Sequence, residues 1–105
     1  MKILEKKYRG SLICRIFDYP IAYAITKLLL ENGPMELDEI VKKVKISKPG
    51  VSAHLKKLKI AHIVRYEKRW PKTIYCIKYQ KEVKNLLDAA EKLATRITKR
   101  ITLDY

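Results

Sequence analysis

The sequence predicts a mainly α-helical domain with one small β-hairpin, in the order α-α-α-α-β-β-α. Apolar residues recur at helical spacing through most of the chain, whereas one segment alternates and is rich in β-branched and aromatic residues. No linker or low-complexity tract interrupts the 105 residues. A chain of this length is expected to form a single domain, covering residues 1–105.

Two helices are expected in the first third of the chain. The apolar run SLICRIF predicts a short helix at about residues 11–18. Pro20 is favoured in the first turn of a helix, so a second helix is expected to begin there and to continue through Asn32. The dipeptide Gly33-Pro34 then stops it.

A third and a fourth helix follow closely. Residues 37–44 carry apolar side chains at helical spacing, with Asp38 and Glu39 near the positive N-terminal end. Ser47 is a preferred capping residue, which places the fourth helix at residues 48–59. The side chains expected on its core-facing side are Val51, Leu55 and Leu58.

The remainder of the chain predicts a hairpin and a long helix. Strands are expected near residues 62–68 and 73–79, on either side of the turn segment RWPK. Residues 81–103 return to the helical period, and their apolar side chains fall on one stripe.

Positive charge is concentrated in one segment. The formal net charge is +13, and residues 42–72 hold eleven basic side chains against Glu67 alone, a net of +10. Because acidic residues avoid this segment, a footprint for a polyanion is favoured over a lysine-rich solvated face. The polyanion is either nucleic acid or an acidic membrane surface.

Membrane insertion is not expected. The longest apolar stretch is interrupted by Lys27 and is too short to cross a bilayer, and the N-terminus has no apolar signal-peptide region. A cytoplasmic location is therefore expected. Heavy use of lysine with few asparagines and glutamines hints at a thermophilic source.

The basic segment contains a specific motif. Three helices followed by a hairpin is the order of a winged helix-turn-helix, and the pattern Ser-x-Pro-x-Val-Ser-x-His-Leu is met by Ser47, Pro49, Val51, Ser52, His54 and Leu55. The chain resembles the ArsR/SmtB family of small dimeric repressors over about residues 11–79, and the helix at 81–103 agrees in position and length. This resemblance implies a homodimeric regulator of transcription that binds double-stranded DNA.

The resemblance also implies which surfaces meet DNA. The fourth helix would enter the major groove, and the basic wing would lie on the backbone or in the minor groove. Lysine ammonium groups suit phosphates, Ser52 can bond to a base edge or a phosphate, and His54 matches a family histidine that holds the helix on DNA. The residues expected to bind DNA are Ser47, Lys48, Pro49, Gly50, Ser52, Ala53, His54, Lys56, Lys57, Arg65, Lys68, Arg69, Trp70 and Lys72.

Three of these positions leave alternatives open. Relatives often carry longer polar residues at the positions of Gly50 and Ala53, and an alanine offers only an apolar contact to a base. This favours a second hypothesis, a nucleoid or architectural protein that binds duplex DNA with little sequence preference. Gly50 either permits close approach to DNA or is a weak point near a helix end, and Trp70 either presses on DNA or packs on its own hairpin. A third hypothesis, a module for protein or RNA contacts, is disfavoured by the charge cluster.

A homodimer is expected from the last helix. Its apolar stripe is longer than a small core can cover, and exposed stripes of this size mark interfaces. The segments 11–31 and 81–103 are the expected dimerisation helices. The residues expected at the interface are Leu12, Ile13, Ile16, Val83, Leu86, Leu87, Ala90, Leu93, Ala94, Ile97 and Ile101.

Neither a metal, a cofactor nor a catalytic site is expected. Metal-sensing relatives carry Cys-x-Cys on the third helix or histidines on the last one, and neither pattern occurs here. Cys14 and Cys76 are expected to be buried structural residues, with a redox disulfide as the less favoured alternative. Ser52 and His54 lie two residues apart on one helix and point to different sides, so an enzyme is not expected.

Overall fold

The computed structural model describes the backbone of residues 9–104 and the side chains of residues 9–99. In chain order the elements are α1 (Gly10–Ile16), α2 (Pro20–Asn32), β1 (Met35–Glu36), α3 (Leu37–Val44), α4 (Lys48–Ile60), β2 (Val64–Arg69), β3 (Lys72–Ile77) and α5 (Gln80–Asp104). The strands form one antiparallel sheet in the order β1-β3-β2. The predicted mainly helical fold with a small hairpin is confirmed.

Strand β1 was not predicted, so the expected order α-α-α-α-β-β-α lacks one element. Met35 and Glu36 pair with Tyr75 and Ile74 of β3. Two residues are too few to show the alternation by which a strand is recognised. Their extended conformation is stabilised by hydrogen bonds to β3, and this pairing joins the start of α3 to the hairpin.

Local signals define the helix ends. Gly33 has a φ of 77°, a conformation that favours glycine, and its N–H donates to the carbonyl oxygen of Leu29 at the end of α2. The Glu39 carboxylate accepts a hydrogen bond of 3.3 Å from the Glu36 N–H at the start of α3. Ser47 Oγ accepts one of the same length from the Gly50 N–H, which confirms Ser47 as the cap of α4.

The core lies between α2, α3, α4 and the base of the sheet, and the first half of α5 closes it. Each fully buried aliphatic side chain stabilises the fold by about 1.5–3 kcal/mol. The core-facing residues predicted for α4 are all buried. Helix α1, by contrast, contributes no buried residue. The hydrophobic core consists of Ala22, Ile25, Leu29, Met35, Ile40, Val51, Leu55, Leu58, Ile63, Val64, Ile77, Val83 and Leu87.

Candidate nucleic-acid interface

Helix α4, which we call the recognition helix, presents a basic outward side. Lys56 and Lys57 are exposed, as is Ala53, while Ser52 is half-buried. The opposite side of the helix is buried in the core through Val51, Leu55 and Leu58, so the backbone that carries these side chains has a defined position. This side can offer ammonium groups to phosphates and only short side chains to bases.

Gly50 has a structural reason to be small. A Cβ atom at this position would lie 3.2 Å from Ser47 Oγ and 3.6 Å from Ile46 Cδ1. The absence of a side chain therefore leaves room for the serine cap at the start of α4. Whether DNA also approaches the backbone here stays a prediction.

The wing, formed by β2, β3 and their turn, has two chemically different faces. Side chains alternate between the faces of a strand, and cross-strand partners share a face. Tyr66 pairs with Tyr75 and Lys68 with Thr73, and we call their side the cleft face. Arg65 pairs with Cys76 and Glu67 with Ile74 on the opposite side, the outer face, which also carries Arg69.

The cleft face and α4 enclose an open groove of about 290 Å³. Three ammonium groups border it, two from α4 and one from near the end of β2. The groove is lined by Ser52, Leu55, Lys56, Lys59, Tyr66, Lys68, Thr73 and Tyr75. Three of the residues expected to bind DNA, namely Ser52, Lys56 and Lys68, are thus brought together.

Sequence analysis missed Lys59 and the two tyrosines of this groove. The Lys59 ammonium lies 4.0 Å from the centroid of the Tyr66 ring, and the hydrogen bond and charge of Lys59 lower the pKa of Tyr66. Tyr66 and Tyr75 pack with ring centroids 6.0 Å apart. The alternation of β2, counted from the buried Val64, could have placed Tyr66 on this face.

The two wing arginines do not line the groove. Arg65 Nε donates to Cys76 Sγ at 3.2 Å, and the Arg69 guanidinium pairs with Glu67 at 3.3 Å, all on the outer face. Arg65 and Arg69 are therefore separated from Lys68, which points towards α4. The basic side chains predicted for the wing therefore fall into two groups, one beside α4 and one on the outer face.

Two predicted DNA-binding lysines form ion pairs with carboxylates. Lys48 Nζ lies 3.2 Å from Asp38, and Lys72 Nζ lies 3.2 Å from Glu36. Both acids belong to the β1–α3 segment. They link this segment to the start of α4 and to the wing, and they lower the positive potential at both places.

His54 is turned partly into the protein. Its Nδ1 atom is buried and has no hydrogen-bond partner, and its ring centroid lies 6.1 Å from that of Tyr19. Any contact of His54 with DNA would therefore use Nε2. The Lys57 ammonium lies over the same Tyr19 ring, 4.6 Å from its centroid.

Trp70 is exposed at the wing tip. Its side chain is 92 % exposed, so the alternative that it packs on its own hairpin is wrong. The Trp70-Pro71 peptide bond in this turn is cis. An indole ring in this position is available for contact with a binding partner.

Helix α5 changes its environment along its length. Val83 and Leu87 are 5 % and 3 % exposed because they pack in the core of the same chain, so we withdraw them from the expected dimer interface. The Lys27 ammonium and the Tyr23 hydroxyl both bond to the Glu91 carboxylate, which ties α5 to α2. Hydrogen bonding to Lys27 lowers the pKa of Glu91, and burial raises the pKa of Tyr23.

Beyond Glu91, α5 leaves the core with an apolar side uncovered in the single chain. Every described side chain from Lys92 to Lys99 is exposed, including Leu93 at 59 % and Ile97 at 49 %. Among the other expected interface residues, Leu12, Leu86, Ala90 and Ala94 are also exposed, whereas Ile13 and Ile16 pack partly against the core. The side chain of Ile101 lies outside the described residues.

The cysteines are not the buried residues that were expected. Cys14 is exposed and Cys76 is half-buried, and both are free thiols. Cys14 is exposed because α1 lies outside the core, and Cys76 is on the outer face of the wing. Within the described part of the chain, no group of three or more His, Cys, Asp or Glu side chains could hold a metal ion. No helix between residues 9 and 104 is long and apolar enough to span a membrane.

Comparisons of sequence agree with this architecture. The family described as "Bacterial regulatory protein, arsR family" matches residues 20–66, which run from the start of α2 into the wing. An uncharacterized HTH-type transcriptional regulator of Methanocaldococcus jannaschii, MJ1325, is 33% identical over 90 residues, which cover 86% of this chain and 100% of that protein.

Solved structures share the fold at lower sequence identity. The crystal structure of M. tuberculosis Rv0081 superposes with a TM-score of 0.77 at 22% identity, covering 92% of this chain and 98% of that chain. HlyU from Vibrio cholerae gives a TM-score of 0.74 at 19% identity, covering 86% and 96% of the two chains.

A third structure comes from Mycobacterium bovis. It is the solution structure of the homodimeric winged helix-turn-helix DNA-binding domain of Mb0332, a possible ArsR-family transcriptional regulator, with a TM-score of 0.71 at 18% identity over 95% of both chains. The family match, the curated relative and the shared fold lead to one assignment. The chain belongs to the ArsR family of winged helix-turn-helix transcriptional regulators.

Proposed function

We propose that this regulator is a repressor that binds double-stranded DNA as a homodimer, with α4 in the major groove and the wing on the backbone or minor groove. The observation that carries the proposal is the groove between α4 and the cleft face, which Lys56, Lys59 and Lys68 all border. Ammonium groups at such a concave surface suit the phosphates that border a DNA groove. Repression follows if the occupied site overlaps a promoter.

The dimer is supported by the uncovered side of α5. Leu93 and Ile97 are large apolar side chains on α5 that are 59 % and 49 % exposed in the single chain. A second copy is the occupant that we propose, since the M. bovis relative with this fold is homodimeric. Two recognition helices would then lie about one DNA turn apart, ~34 Å.

Sequence preference should be modest. The outward side of α4 offers Ser52 and Ala53 where a longer side chain would be needed for bidentate contact with a base. We therefore expect a specificity ratio near the low end of the usual range, about 10³, with part of it arising from DNA shape. A ratio close to 1 would instead favour the architectural alternative.

Salt titration tests the DNA proposal. Fluorescence anisotropy with the preferred duplex and a scrambled one should show affinity falling by roughly 10³–10⁵ between 50 and 200 mM salt, as six to ten phosphate contacts require. Lys56→Ala should lower the salt slope by about 1 for both duplexes, and Ser52→Ala should reduce the preference between them.

The matched control is Lys81→Ala, which removes an equal charge from the exposed start of α5 and should leave the slope unchanged. Binding that is insensitive to salt would rule out DNA as the partner. A specificity ratio above about 10⁵ would show that the short side chains do not limit base reading.

Analytical ultracentrifugation tests the dimer. The wild type should sediment as a dimer at micromolar concentration, and Leu93→Lys should sediment as a monomer because it places an ammonium group in an apolar interface. Thr95→Lys adds the same charge at another exposed site on α5 and is the control for charge alone. A monomeric wild type would contradict the proposal.

A further inference from the structure

A second cleft lies where the recognition helix faces the corner between α1 and α2. Its volume is about 230 Å³, below the range of about 300–1,000 Å³ typical of sites for drug-sized ligands. It is lined by Arg15, Ile16, Tyr19, Ala22 and Lys57. Lys57 is among the residues expected to bind DNA, and Ile16 is among those expected at the dimer interface. Ala22 belongs to the core, but Arg15 and Tyr19 have no role in the proposed function.

The lining combines an apolar base with two cations. Ala22 is buried and Ile16 is half-buried, so they form the inner surface, while Arg15 and Lys57 are exposed at the edge. Among the residues that the structure describes, neither cation forms an ion pair. Their charges are therefore not neutralised by the protein at this place, which favours an anionic ligand.

The third element of the cleft is an aromatic wall. Tyr19 is 50 % exposed, and its ring is positioned by the His54 ring on one side and by the Lys57 ammonium 4.6 Å from its centroid. A half-exposed ring in a fixed position can stack on a planar apolar group. A guanidinium and an ammonium group beside it can bind a carboxylate.

We propose that this cleft binds a small aromatic carboxylate, whose carboxylate lies between Arg15 and Lys57 and whose ring lies against Tyr19, Ile16 and Ala22. The ligand is limited to about one ring by the volume of the cleft. Both halves of the ligand are required, because the apolar base cannot hold a bare anion and a neutral ring leaves the charges of Arg15 and Lys57 without a counter-ion.

Binding here would regulate the protein through Lys57. This consequence rests on the proposed function and on the sequence-based prediction that Lys57, on the exposed side of α4, contacts a DNA phosphate. A carboxylate that occupies the Lys57 ammonium competes with that phosphate, so ligand and DNA weaken one another by the same factor. The cleft thus links an effector to the recognition helix without a metal.

Ligand binding is tested without DNA. In an NMR titration of the ¹⁵N-labelled full chain, sodium benzoate should give saturable shifts at the amides of Tyr19, Ala22 and Lys57, with a Kd of about 1 mM. Sodium acetate and benzamide, each carrying one half of the ligand, should give no saturable shifts there at the same concentration. Equal shifts with acetate and benzoate would overturn the proposal.

Matched variants locate the site. Arg15→Gln should weaken benzoate binding about tenfold, as loss of a charge-assisted hydrogen bond predicts, and Tyr19→Leu should weaken it through loss of the ring. Lys81→Gln removes the same charge from α5 and should bind benzoate as the wild type does. Equal binding by Arg15→Gln and Lys81→Gln would overturn the site, since general attraction to a basic protein would then explain the affinity.

The regulatory step is tested separately by measuring DNA affinity with and without benzoate at constant ionic strength. A several-fold loss of affinity in the wild type, absent in Arg15→Gln, supports the coupling. Unchanged DNA affinity at saturating benzoate would overturn the coupling between ligand and DNA, even where the NMR titration shows that benzoate binds the cleft. If the protein binds no DNA at all, the proposed function is wrong. The NMR titration then still tests whether the cleft binds benzoate.

Discussion

The two faces of the wing are built from the same two strands but have different neighbours. On the cleft face, Tyr66 and Lys68 lie beside the recognition helix. On the outer face, Arg65 and Glu67 border a separate concave surface with Pro34. Adjacent residues of β2 thus belong to different surfaces. A basic residue in the wing therefore lies at the proposed DNA interface only if its side chain is on the cleft face.

The largest expected difference between the two faces is in how much a mutation lowers stability. Strand β3 carries an isoleucine on each face, which allows a matched test. Ile77 is 3 % exposed and belongs to the core, whereas Ile74 is half-buried on the outer face. Ile77→Ala should lower the free energy of unfolding by about 2–5 kcal/mol, because it leaves a cavity. Ile74→Ala should cost clearly less, since its surroundings are open to solvent.

Urea unfolding of both variants at one protomer concentration measures the difference, because the stability of a dimer depends on concentration. Equal losses would show that the outer face is packed as tightly as the core, for instance against a second copy of the chain. That result would break the distinction between the two faces.

DNA affinity should separate the faces next. Lys68→Ala should weaken binding to every duplex and lower the salt slope by about 1, because it removes a phosphate contact of the cleft face. Arg65→Ala removes an equal charge from the outer face, where the guanidinium donates to Cys76, and should leave the slope unchanged. Anisotropy titrations at several salt concentrations compare them, and equal effects would place DNA across both faces.

The smallest effect is expected at the edge of the wing. Glu36→Gln removes the carboxylate that pairs with Lys72 at 3.2 Å. Because exposed ion pairs contribute only about 0.2–1 kcal/mol, stability should change little. Lys72 pairs with Arg69 across the hairpin and so belongs to the outer face, and the released lysine should therefore change DNA affinity by less than about twofold. Glu82→Gln, which removes the same charge from the first turn of α5, is the control. A clear gain in affinity for Glu36→Gln alone would show that Lys72 faces DNA.

Much of the fold could be predicted because its signals are local. The helical spacing of Val51, Leu55 and Leu58, the serine before α4 and the proline at the start of α2 each act within a few residues of the chain. Their positions agree with the structure within one or two residues at most ends. The motif around Ser47 and His54 was similarly local, and it led to the family that the comparisons then established.

Other features depend on contacts between distant parts of the chain, and sequence reasoning missed them. Strand β1 exists because Met35 and Glu36 pair with β3, and Val83 and Leu87 are buried because α5 folds back on the core. Cys14 is exposed because α1 lies outside that core. A periodic pattern shows that a face is apolar but does not show what covers it.

The sequence by itself determined the order of the helices, the position of the hairpin, the concentration of positive charge and the family, since each depends on residues close together in the chain. Only the tertiary structure decided which lysines share a groove, which are paired with Asp38 and Glu36, and where Arg15 and Lys57 meet. The physical reason is that electrostatic and packing energies depend on distances in space. Residues 42 positions apart in the chain, such as Arg15 and Lys57, come into one cleft only when the helices pack.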